Sequence, residues 1–85
     1  MQEQILQAFQ RNANDEAVAL AGQWVAQDPG KVEPLSWLAT AQRQAGDIDA
    51  ALSTLDQALA LAPEDAGLHL QRATLLLTGR RFDDA

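Results

Sequence analysis

The chain has 85 residues, which allows one domain, and a formal net charge of −6 carried by twelve acidic against six basic side chains. It is 47% hydrophobic, only 5% aromatic and free of cysteine, which excludes a disulfide framework, thiol catalysis and cysteine-based metal sites. With Lys31 as its one lysine beside five arginines, it lacks the basic stripe that nucleic acid or an anionic membrane surface requires.

Met1-Gln2-Glu3-Gln4 puts no basic stretch before an apolar core, so the N-terminus does not read as a secretory leader. Apolar runs such as Ala58–Ala62 fall far short of the roughly 20 residues that span a bilayer. The expectation is a soluble cytoplasmic protein, with a periplasmic one whose leader has been removed as the alternative.

In chain order, the pattern predicts five helices and the start of a sixth. The first runs from about Gln2 to Arg11. The second runs from about Asp15 to Gln27, where Asp28-Pro29-Gly30 breaks it. The third begins near Val32 or Glu33, carries Pro34 in its first turn and ends near Ala45. Gly46 makes a turn, and Asp47 caps a fourth helix from Ile48 to Leu61, stopped by Pro63. Glu64 and Asp65 open a fifth helix to about Thr78; Gly79 is read as another turn, and Arg81–Ala85 as the beginning of a sixth helix. Gly46 takes a positive φ freely, and Asn12, one period earlier, is the next most tolerant residue for it. In the fourth helix Ala51, Leu55, Ala58 and Leu59 share a face, with Asp49, Ser53, Asp56 and Gln57 mostly opposite. No segment alternates with period two, so no strand is expected.

A repeat runs through these helices. Pro29 and Pro63 lie thirty-four residues apart, and Asp15/Asp49, Ala17/Ala51, Gln23/Gln57 and Ala26/Ala60 coincide at the same shift. One shift further on, Ala39/Ala73, Thr40/Thr74, Asp49/Asp83 and Ala51/Ala85 also coincide. A fixed period of this length in a helical pattern marks a helix–turn–helix solenoid. The middle unit, Val32 to Asp65, carries Leu35, Leu38, Ala39, Gly46, Ile48, Ala51, Leu55, Ala58 and Pro63. With these residues the chain resembles the tetratricopeptide repeat family, strongly in this unit and weakly at both ends. Ile5, Asn12 and Trp24 depart from the pattern in the first unit.

The expected fold is all-α: a short right-handed superhelix of about two and a half antiparallel hairpins, in units of about 1–31, 32–65 and 66–85, the last truncated. The resemblance implies a non-enzymatic module that binds a partner peptide or helix in a concave groove. The matching inner-face positions are Gln2, Leu6, Phe9 and Gln10, then Ser36, Thr40, Arg43 and Gln44, then Leu70, Thr74, Leu77 and Thr78. Of these, Ser36, Thr40, Arg43, Gln44, Leu70, Thr74 and Leu77 are the candidate partner contacts. One subgroup clamps the C-terminal carboxylate of chaperones with lysine and asparagine on its inner helices. Neither residue stands at these positions, which speaks against that role.

Two other readings stand beside groove binding. Leu75-Leu76-Leu77 cannot all be buried by the fourth helix, so Leu75 and Leu76 are candidates for pairing with a second copy of the chain. The stop inside a third repeat also suits an accessory domain of a larger enzyme, cut after Ala85. Chemistry within this chain is not expected. His69, the only histidine, reads as a surface or partly packed residue, because a histidine base or ligand needs a positioned partner. The pairs Asp15-Glu16, Asp47/Asp49, Glu64-Asp65 and Asp83-Asp84 read as helix-start caps rather than metal ligands. No cofactor, catalytic group or metal is therefore expected. Trp24 and Trp37 read as packing between units, with Trp37 the better placed to border the groove.

Overall fold

Five helices make up the chain in a computed structural model that describes residues 2–84, with side chains described for residues 2–77. They are α1 (Gln2–Gln10), α2 (Asn14–Gln27), α3 (Val32–Gln44), α4 (Ile48–Leu61) and α5 (Ala66–Asp84), with no strand among the described residues. No helix is long and apolar enough to cross a membrane among the described residues.

The two tight turns are built alike. Gly46 has φ +89°, and the Asp47 amide after it donates to the Gln42 carbonyl at 2.9 Å. Asn12 has φ +56°, and the Ala13 amide donates to the Ala8 carbonyl at 2.8 Å. Both ends are therefore Schellman closures, in which a left-handed residue lets the next amide satisfy a carbonyl five residues back. The caps differ. Asp47 accepts the Ala50 amide at 3.2 Å, and Asp65 accepts that of Leu68 at 3.2 Å. Ala13 leads α2 with no side-chain cap, and Asn14 instead donates through Nδ2 to the Gln44 carbonyl at 3.1 Å, tying the start of α2 to the end of α3.

Two readings at the C-terminal end are corrected. Gly79 makes no turn: α5 continues through it to Asp84, and no separate helix begins at Arg81. Asp83-Asp84 accordingly sits in the last turn of α5 and not at a helix start. A lone glycine costs a helix about 1 kcal/mol, which a long helix tolerates. After Gly46 stands Asp47, whose carboxylate starts a new helix; after Gly79 stand Arg80 and Arg81, neither of which can cap one.

Each helix packs on the next one in the chain, and no non-consecutive pair packs comparably. That is serial stacking and not a closed bundle. The Cα extents are 36 × 32 × 16 Å. Helices of about 2.3 Å Cα radius at 8–10 Å separation give a thickness of about 13–15 Å, so the short dimension holds two helix layers.

Two apolar clusters fill the stack. Ile5, Ala8, Ala17, Ala21 and Ala41 form the first, flanked by Phe9, Trp24, Trp37 and Leu38. Leu35, Ala39, Ala51, Leu55, Ala58, Leu68 and Leu75 form the second. The face read along α4 is the buried one: Ala51, Leu55 and Ala58 are fully enclosed and Leu59 is half-buried. Thr54 joins them, because its hydroxyl has two acceptors in reach, Gln42 Oε1 at 2.7 Å and the Ala50 carbonyl at 2.9 Å.

Candidate functional site

The helices α1, α3 and α5 touch one another far less than each touches its neighbours in the chain. Phe9 of α1 stacks on Trp37 of α3 with ring centroids 6.2 Å apart and planes 17° from parallel. Gln71 of α5 donates through Nε2 to Ser36 Oγ of α3 at 3.3 Å. Since α3 and α5 each lean on α4 rather than on each other, a space is left between them. It is a cleft of about 170 Å³ lined by Ala39, Thr40, Arg43, Leu55, Leu70, Gln71, Thr74 and Leu75. Ala39, Leu55 and Leu75 are buried and form its floor; the half-buried or exposed Thr40, Arg43, Leu70, Gln71 and Thr74 form its rim.

The structure gathers Thr40, Arg43, Leu70 and Thr74, four of the residues read as partner contacts, around this cleft. The Thr40 hydroxyl donates to the Ser36 carbonyl at 3.0 Å and that of Thr74 to the Leu70 carbonyl at 2.9 Å, so each turns back onto its own helix. Ser36 sits beside the cleft and engages Gln71. Gln44 is exposed, and its carbonyl is taken by Asn14; Leu77 is exposed at 63% and stands off the cleft.

Leu75 is corrected. It is 2% exposed and belongs to the core and to the floor of the cleft, so it presents no open helix surface beside Leu76. Leu76 is 44% exposed. The α5 residue that hydrogen-bonds α3 is Gln71, and sequence reasoning missed it. Its signal is a register one residue beyond the period: Leu70 is the repeat-mate of Ser36, and the next residue closes the gap. Gln71 Oε1 is buried and has no hydrogen-bond partner among the described residues.

Arg11 pairs with Glu16 at 2.7 Å and Arg72 with Asp56 at 3.1 Å, both on open surface where such pairs contribute little. Arg43 has no acidic partner among the described residues, and no acidic side chain lines the cleft. His69 is exposed and donates through Nε2 to the Pro63 carbonyl at 2.7 Å, a local link across the start of α5. Trp24 donates through Nε1 to Asp28 at 3.1 Å and, like Trp37, packs on the first apolar cluster.

A family model for the tetratricopeptide repeat matches residues 8–60 and, a second time, residues 42–85. No curated protein matches the chain.

Proposed function

We propose, for a chain that belongs to the tetratricopeptide repeat family, that it is a protein-interaction module whose partner peptide or helix lies along α1, α3 and α5. Repeats of this family generally mediate protein–protein interaction. The division into units of about 1–31, 32–65 and 66–85 places one of these three helices at the front of each unit. The observation that carries the reading is the apolar cleft between α3 and α5, with five rim residues supplied by two different helices. An amphipathic partner suits a rim of two threonines, one arginine, one glutamine and a leucine over an apolar floor. We assign no reaction to the chain.

The test is a pull-down from a lysate of the source organism with the wild type beside the double variant Arg43→Glu/Thr40→Arg. Both positions are at least partly exposed, so circular dichroism is expected to be unchanged. At least tenfold less of the wild-type partner is expected on the variant, since a charge reversal and an added bulk both act at the rim. Equal capture by both would place binding elsewhere.

Self-association is a second reading, favoured by the exposure of Leu70, Leu76 and Leu77 at 68%, 44% and 63% on one helix. Light scattering on a size-exclusion column is then expected to show a dimer at high micromolar concentration and a monomer for Leu76→Glu. A wild-type monomer at that concentration would discard this reading.

A further inference from the structure

The cleft between α3 and α5 is sized and charged for one kind of side-chain pair. Its volume of about 170 Å³ is close to the roughly 150 Å³ of an apolar cavity that admits a benzene ring, so it has room for a side chain of leucine or phenylalanine size. Its floor of Ala39, Leu55 and Leu75 is hydrocarbon only. At its edge Arg43 is exposed and without an acidic partner among the described residues, in a chain whose acids outnumber its bases two to one. A guanidinium keeps its charge at any physiological pH and presents a planar fork that fits a carboxylate. The absence of any acid in the lining leaves that fork to a ligand.

We propose that the cleft selects a partner segment by one leucine- or phenylalanine-sized side chain seated on Ala39, Leu55 and Leu75, with an aspartate or glutamate of the same segment paired to Arg43. This rests on the groove reading given above and narrows it to a short acidic–apolar motif.

The probe is a phage-displayed library of random twelve-residue peptides, panned against the wild-type chain and against Arg43→Glu and Arg43→Gln. The wild type is expected to enrich peptides with a leucine, methionine or phenylalanine and an aspartate or glutamate within one helical turn. Arg43→Glu is expected to keep the apolar residue and exchange the acid for lysine or arginine. A synthetic wild-type-selected peptide is expected to bind about tenfold more weakly once its apolar residue is cut to alanine, and likewise once its acid becomes an amide. Its amide chemical-shift changes should cluster at Ala39, Thr40, Arg43, Leu70 and Thr74.

Selected peptides that shift those amides without an acidic preference would overturn the motif and leave the groove intact. Peptides that shift other surfaces, or a panning that enriches no sequence, would overturn both. Concentration-dependent shifts at the same amides in the chain alone, with a doubled mass, would overturn the motif by showing that a second copy fills the cleft.

Discussion

Replacing Leu55 by alanine is expected to destabilise the chain by about 3 kcal/mol, within the 2–5 kcal/mol that buried leucine truncations cost. Leu55 is completely enclosed and sits on α4 where α3 and α5 both close over it. Truncation removes its transfer free energy and leaves a hole. That hole adjoins the existing cleft, so the walls can neither collapse onto it easily nor keep it dry. Domains of this size have about 5–15 kcal/mol of stability, and a loss of this magnitude takes a large share of it. Urea unfolding should show a lower midpoint with an unchanged slope, the sign of a stability change rather than a change in the surface exposed. Leu55→Met, which conserves volume, should cost less than about 1.5 kcal/mol. A loss below about 1 kcal/mol for the alanine variant would mean that Leu55 is not enclosed between three helices.

What the sequence reveals and what it hides divide along physical lines. The α4 limits, Ile48 and Leu61, are legible because Asp47 and Pro63 punctuate both ends with side-chain chemistry. The Asn12 and Gly46 turns are legible because a left-handed residue is a local requirement, and each chain position advertises its tolerance for it. The fifth helix is harder. Gly79 and Gly46 are the same residue with different neighbours: an aspartate cap comes after Gly46 and an arginine after Gly79, a difference that disfavours a new helix start there without alone deciding it, since α2 starts behind Ala13 with no side-chain cap. The buried set in α5 is harder still. Leu75, Leu76 and Leu77 are identical side chains, and only the rotation of the helix against α4 decides that Leu75 goes inward. Of the candidate contacts, those on α3 and α5 that meet at the cleft are legible from the repeat register. The floor is not, because Leu55 belongs to the intervening helix and lines the cleft only once three helices are set against one another. Gln71 escapes for the same reason: its position one residue past the period matters only when α3 and α5 are seen side by side.

Enlarging one small residue should be nearly as damaging as cutting the large one. Ala51→Leu is expected to destabilise by about 2 kcal/mol, whereas Ala60→Leu on the same helix should stay within about 0.5 kcal/mol. Alanine and leucine differ little in helix propensity, so the contrast between the two sites reports contact and not local preference. Ala51 has no exposed surface and belongs to the cluster with Leu35 and Ala39 of α3; Ala60 is exposed. Three extra carbons at Ala51 must force α3 and α4 apart or push a neighbour off its rotamer. In a serial stack that displacement is felt by α5, which leans on α4 and on nothing else to a comparable degree. Thermal unfolding is a sensitive readout, because about 1 kcal/mol moves the midpoint of a domain this size by roughly 4–8 °C. The Ala51 variant should therefore melt about 10 °C lower, with Ala60→Leu close to the wild type. Equal melting of the two variants would show that the small residues along α4 are not where neighbouring helices touch, and the repeat register built on them would fall with it.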